Sequence, residues 1–166
     1  MAYGWSPASG WATSLRGMGR PATEDDVREI CLSLPETELG ETWGDVPTYV
    51  VRQHPKPRGF VLYRKPHKTA INPQTGQEYD DLLVIRTRNA ADKAALVEAE
   101  GPFFTIDHFK SFNAVLVQMS RLGELEVDVE ELREIITDAW LAVAPKRLAK
   151  EQLSKEQLSK KQGPDA

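Results

Sequence analysis

The chain lacks several features that would assign it to a class at once. Of its 166 residues only Cys31 is a cysteine, so an intramolecular disulfide is excluded and a reducing cytoplasm is the expected compartment. No apolar run approaches the roughly 20 residues that span a bilayer. The first residues show no basic segment followed by an apolar stretch, which argues against a secretory signal. We therefore expect a cytoplasmic protein that does not enter a membrane.

Recognisable catalytic and metal-binding patterns are also missing. The three histidines, His54, His67 and His108, lie far apart and have no metal-ligand spacing. No Gly-x-Ser-x-Gly turn or Cys–His pair is evident. Gly17-x-Gly19 has no strand before it and is not a phosphate loop. The sequence predicts a protein that is not an enzyme and that has no catalytic residue, no metal and no cofactor.

Charge is distributed unevenly along the chain. The formal net charge is −4, but residues 1–22 carry +2 and residues 146–166 carry +3, which leaves −9 on residues 23–145. A body with this charge, taken as a whole, repels a polyanion. Any contact with nucleic acid is therefore expected to be local.

Three regions follow from composition and periodicity. Residues 1–22 are rich in Gly, Ser, Ala and Pro and predict a disordered extension. Residues 149–166 repeat a charged five-residue unit and predict a frayed or disordered tail, and residues 23–148 predict one domain. Within it the strands are expected at Val46–Arg52, Gly59–Arg64, Asp81–Arg86 and Asn113–Met119, and helices begin near Thr23, Asn89 and Asp128. Since only one helix separates strands, we predict an α+β fold with an antiparallel sheet and helices packed on one face.

Two tryptophans fall within the predicted domain. Trp140 lies on the apolar face of the last helix, where core packing is expected. Trp43 is also expected in the core, and its alternative is to line a pocket beside Gly44.

An ordered set of segments resembles the MmcQ/YjbR family. The segment Trp43-Gly44-Asp45-Val46-Pro47 resembles the family's Trp-Gly-x-x-Pro strand. Further resemblances lie at Leu32–Thr37, Pro102–Phe109, Ala114–Val117 and Leu132–Leu148, so residues 23–148 are roughly covered. The resemblance implies a CyaY-like fold and DNA binding through a "double wing" of β-hairpins. The connections His54–Arg58 and Lys65–Asp80 are longer than in the family pattern, so wing contacts cannot be transferred position by position.

The strongest local signal is positive charge in the first predicted hairpin, because residues 52–68 hold no acid. The candidate phosphate contacts are Arg52, Lys56, Arg58, Arg64, Lys65, Lys68 and Arg86. Tyr49, Phe60 and Tyr63 are interleaved with them and either stack on bases or point into the core. The other interpretation of the charges is a solvated edge that blocks aggregation. We expect a non-catalytic, monomeric binding protein that contacts DNA through this hairpin.

Acidic residues support a second hypothesis. They lie on the first helix and directly after it, at Glu24, Asp25, Asp26, Glu29, Glu36, Glu38, Glu41 and Asp45. The implied fold resembles that of frataxins, which bind iron weakly through an acidic first-helix ridge. The alternative function is therefore a protein- or metal-interaction module. First-turn acids are also what a helix dipole favours, so a solvated face explains them as well.

Overall fold

The computed structural model describes residues 20–53, 55–99 and 101–161. Five strands form one antiparallel sheet in chain order, namely β1 (Thr37–Thr42), β2 (Val46–Val51), β3 (Arg58–Arg64), β4 (Leu82–Arg86) and β5 (Ala114–Gln118). The longer helices are α1 (Glu24–Ser33), α2 (Ala90–Glu98), α3 (Val129–Val143) and α4 (Lys146–Lys161). The predicted α+β fold with an antiparallel sheet is confirmed.

The two faces of the sheet are covered differently. Side chains alternate along a strand, so Val61 and Ile85 pack into the main core with the helices, whereas Leu62 and Val84 face the opposite side. On that side the long connections between strands supply a smaller apolar cluster, which includes Phe109. These connections do not cover the end of the sheet near the β2–β3 connection, and that end remains open.

The structured domain includes residues 20–22, which the sequence assigned to a disordered extension. Ala22 is fully buried, and its amide donates to the carbonyl of Val127 (3.0 Å). The Arg20 guanidinium donates two hydrogen bonds to the Asp26 carboxylate (2.6 and 2.5 Å). An ion pair and a buried alanine thus fix a segment that shows no periodicity. The expectation for residues 1–19 lies outside the described residues.

The pair between Arg20 and Asp26 predicts an acid-sensitive contribution to stability. The Arg20 bonds, helped by the amide of Thr23 (2.8 Å), lower the pKa of the buried Asp26 carboxyl to about 2. Because this value lies below that of the unfolded chain, the stabilisation is present above about pH 4 and is lost as the pH falls towards about 2. We expect the free energy of unfolding to lose about 2 kcal/mol over that range. Urea unfolding of Asp26→Asn should show a flatter pH dependence, whereas Asp25→Asn, on the exposed neighbour, should behave like the wild type.

Strand β1 was not predicted from the sequence. Its residues, Thr37–Thr42, are mostly polar and include Gly40, a composition that is typical of a loop. It nevertheless pairs with β2 along its full length, from Thr37 opposite Val51 to Thr42 opposite Val46. An edge strand needs only one partner and can keep polar side chains in water, which explains why composition did not reveal it.

The C-terminal segment also differs from the sequence expectation of a frayed or disordered tail. Helix α4 continues to Lys161. Leu148, which is 4% exposed, packs its first turn against the core, and the following residues are strong helix formers. Leu153 and Leu158 remain exposed. No helix in the described ranges combines the length and the apolar character needed to cross a bilayer.

Candidate functional site

A cleft of about 320 Å³ opens on the sheet face opposite the helices, and we call it the sheet cleft. Its lining is Thr42, Trp43, Thr48, Lys56, Pro57, Arg58, Gly59, Phe60, Leu62, Val84, Arg86, Phe109, Phe112, Asn113 and Ala114. This volume falls at the lower end of the range for small-ligand pockets. Aromatic rings and cations line it together, and no carboxylate lies among the described residues of the lining.

Trp43 stands at the mouth of the cleft in an unfavourable backbone conformation. It begins the tight turn between β1 and β2, with φ at 51°, and Gly44 follows with φ at 89°. A bulky residue rarely adopts the left-handed region, because its Cβ approaches the following carbonyl. Its side chain is 62% exposed, so the expectation of a core tryptophan was wrong and the pocket alternative describes it better. Backbone strain at an exposed aromatic is typical of functional sites.

Phe109 and Phe112 form the second aromatic wall. Phe109 is buried in the smaller apolar cluster, with its ring centre 6.4 Å from that of Trp43 and 5.8 Å from that of Phe112. Phe112 is 52% exposed. Neither residue was among the candidates from the sequence, although four phenylalanines between positions 103 and 112 were a signal of an aromatic surface.

Lys93 on α2 fixes the turn that carries these two rings. Its ammonium donates to the carbonyls of Phe109 (2.7 Å), Lys110 (3.2 Å) and Phe112 (2.7 Å). Partial burial lowers the pKa of this amine. Three carbonyl partners compensate the partly buried charge, so Lys93 positions the aromatic wall.

Three of the seven predicted phosphate contacts lie in the sheet cleft, namely Lys56, Arg58 and Arg86. Arg86 donates from Nε to the carbonyl of Gly59 (3.3 Å), which holds its guanidinium against β3. Partial burial, and then the positive charge of Arg58, keep the pKa of Arg86 below its ordinary value. These cations repel one another, and the described lining contains no carboxylate to neutralise them. The cleft therefore favours the binding of an anion.

Arg52 is not part of the cleft, although the sequence grouped it with the other hairpin cations. Its guanidinium pairs with Glu36 (3.1 Å) and Glu38 (3.5 Å) beside β1. The reason is the unpredicted strand β1, which brings these acids alongside the end of β2. The hairpin is therefore basic in sequence but locally neutralised at this end.

The remaining three candidates lie outside the cleft lining. Lys65 pairs with Asp45 (2.6 Å) and lowers the pKa of that carboxyl. Arg64 is partly buried, with its guanidinium carbon 5.1 Å from the ring centre of Phe109, and burial lowers its pKa. Lys68 is exposed on the long β3–β4 connection.

The tyrosines and phenylalanine of the predicted hairpin belong to the core. Tyr49 and Phe60 are 1% and 2% exposed, and the hydroxyl of Tyr63 lies 2.9 Å from that of Tyr49. All three pack with the main apolar core. Tyr49 and Phe60 have too little exposed surface to stack on a base, even though Phe60 borders the cleft, and Tyr63 is partly buried against the same core. Of the two sequence interpretations, core packing is therefore the one observed.

Four of the eight acidic residues of the alternative hypothesis pair with basic side chains in the described part of the domain, namely Asp26, Glu36, Glu38 and Asp45. Asp26 is buried against Arg20, and Asp45 pairs with Lys65. Among the described residues, no group of three or more His, Cys, Asp or Glu side chains could hold a metal ion. Cys31 is buried, which raises the pKa of its thiol.

Comparisons with known proteins identify a family, related sequences and a similar fold. A family model described as YjbR matches residues 32–142. Uncharacterized proteins of Mycobacterium bovis and Mycobacterium tuberculosis are 33% identical over 134 residues, which cover 78% of this chain and 94% of theirs. The crystal structure of a Deinococcus radiodurans protein with a DUF419 domain is similar with a TM-score of 0.50 and 20% identity, over 79% of this chain and 88% of that one. At that identity the likeness concerns the fold alone.

Proposed function

The chain belongs to the YjbR family, as its sequence resemblance predicted, and from that premise we propose that it binds single-stranded nucleic acid in the sheet cleft. In this proposal the protein is a non-catalytic, monomeric binding module of the cytoplasm. The observation that carries it is Trp43, an exposed tryptophan in a strained conformation beside three cations.

The chemistry of the cleft fits the two parts of a nucleotide. Lys56, Arg58 and Arg86 offer donors to phosphate oxygens, while the exposed rings of Trp43 and Phe112 offer flat apolar faces. Proteins that bind single strands combine such a basic groove with stacking platforms. In a duplex the base faces are already stacked on one another, so this combination favours single strands over double-stranded DNA.

The charge distribution supports a local contact. Residues 23–145 carry −9, so general attraction between the domain and a polyanion is weak. Affinity in this proposal depends on Lys56, Arg58 and Arg86, which form no ion pair with a carboxylate in the described part of the chain. The acidic-helix alternative has less support, because Asp26 and Asp45 already have basic partners within the domain.

Salt dependence of oligonucleotide binding tests the proposal. We expect an oligothymidylate of about 8 nucleotides to bind at about 50 mM salt, with log affinity falling against log salt at a slope of about −2 for three phosphate contacts. Arg58→Gln should weaken binding by about three- to tenfold and make the slope shallower by about 0.7, since one contact is lost. Fluorescence anisotropy at graded salt measures both.

Arg52→Gln is the matched control, because Arg52 belongs to the same hairpin but pairs with Glu36 and Glu38 outside the cleft. It should leave the affinity and the slope unchanged. Equal effects of the two substitutions would assign any binding to general charge rather than to the cleft. If neither single- nor double-stranded oligonucleotides bind at low salt, the proposed function is wrong.

A further inference from the structure

A second pocket adjoins the sheet cleft and shares Trp43 and Leu62 with it. This pocket has a volume of about 230 Å³, and we call it the histidine pocket after His67 and His108. Arg64 and Lys65 also line it. The indole of Trp43 thus stands between two pockets, each of which contains cationic side chains.

A hydrogen-bond network orients the donors of the histidine pocket. Arg64 donates from Nη2 to the Thr69 hydroxyl, and that hydroxyl lies 2.9 Å from Nδ1 of His67. The amide of Thr69 also donates to Nδ1 (3.2 Å). Since Nδ1 accepts these bonds, the neutral ring carries its proton on Nε2, which makes that nitrogen a donor.

The charge of the pocket is positive overall. In the described part of the chain no carboxylate pairs with Arg64, which lies over the ring of Phe109 and extends the positive field of the cleft. Lys65 is neutralised by Asp45 at the rim. His108 completes the wall, with its ring centre 6.5 Å from that of His67.

We propose that the histidine pocket is a second phosphate subsite, which takes a neighbouring phosphate of the strand whose nucleotide occupies the sheet cleft. The inference rests on the proposed function. The strand then crosses Trp43 with one phosphate on each side, and His67 and His108 donate hydrogen bonds to the second phosphate. A ligand with a single phosphate fills only the sheet cleft, so the shortest complete ligand is a dinucleotide with two phosphates.

Ligand length separates the two subsites. We expect the double substitution His67→Ala with His108→Ala, which removes both ring donors, to weaken binding of an oligothymidylate of about 8 nucleotides by about tenfold, the effect of losing hydrogen bonds to a charged group. Binding of thymidine 5′-monophosphate, followed by NMR titration, should not change. Lys68→Gln, on the same connection but outside both pocket linings, should change neither affinity.

Each other result has a definite meaning. Equal losses for the mononucleotide and the oligonucleotide, or no loss for either, overturn the second subsite. If the oligonucleotide responds to Arg58→Gln but not to the histidine substitutions, the proposed function stands and the second subsite is wrong. If the wild-type protein does not bind the oligonucleotide, both are wrong. Both histidines are exposed, so we expect the double substitution to leave the melting temperature unchanged. An unchanged melting temperature shows that the variant is folded.

Discussion

Substitution of Trp43 by asparagine is expected to weaken oligonucleotide binding by about ten- to a hundredfold while the domain remains at least as stable as the wild type. Stacking of a base on an aromatic side chain contributes about 1–3 kcal/mol, which sets the size of the loss. Asparagine adopts positive φ more readily than tryptophan, so the turn loses strain of about 1 kcal/mol. Fluorescence anisotropy measures the affinity, and urea unfolding measures the stability.

Two further variants separate stacking from general apolar contact. Trp43→Phe keeps an aromatic face and should retain most of the affinity. Leu39→Thr removes another exposed apolar side chain, which is 53% exposed on β1 and lies outside the cleft lining, and should leave the affinity unchanged. If Trp43→Asn lowers stability and affinity together, Trp43 is a structural residue and the stacking argument fails.

Trp43→Asn is expected to raise or preserve stability but to lower affinity, and the reason is the geometry of the turn between β1 and β2. Thr42 and Val46 are paired, so only three residues reverse the chain between β1 and β2. Such short turns favour glycine or asparagine at positive φ. A tryptophan at φ 51° is unfavourable for the turn alone, which is consistent with a use for its exposed ring.

Much of the fold could be predicted from local patterns. The capping pair Thr23 and Asp26 and the apolar periodicity of α3 both correspond to observed helices, and the β2–β3 hairpin was predicted within a residue or two. These elements can be recognised from their own residues. Apolar residues at helical spacing predict a helix that packs on the core, and runs of β-branched and aromatic residues predict a strand. Edge strand β1 carries no such signal, since its pairing depends on the backbone of β2.

The grouping of the cations could not be predicted in the same way. Which face a strand residue occupies depends on register, and β2 and β3 shift register between Tyr49 and Val50. From the sequence we therefore predicted that Arg52 and Arg58 share one surface. In the structure Arg52 pairs with Glu36, whereas Arg58 lines the cleft. Phe112 enters the site through a connection far along the chain, which is held by Lys93.

Removal of the Trp140 side chain should give the largest loss of stability. Trp140 on α3 is fully buried, and its Nε1 donates to the carbonyl of Pro35 (3.1 Å), where the chain leaves α1. Trp140→Ala leaves a large cavity and removes one of the two hydrogen bonds to the Pro35 carbonyl, which still accepts from the hydroxyl of Thr37 (3.2 Å). We therefore expect the free energy of unfolding to fall by about 3–5 kcal/mol, mostly from the lost packing. Urea unfolding followed by far-UV circular dichroism measures this change.

Trp140→Phe separates the two contributions, because phenylalanine fills most of the cavity but cannot donate to Pro35. We expect it to cost about 1–2 kcal/mol. A similar loss for both variants would mean that the hydrogen bond, not the packing, dominates. Trp140 packs in the core on the helix side of the sheet, whereas the sheet cleft lies on the other face. Both variants, measured under conditions in which they are folded, should therefore bind the oligonucleotide as the wild type does, in contrast to Trp43→Asn.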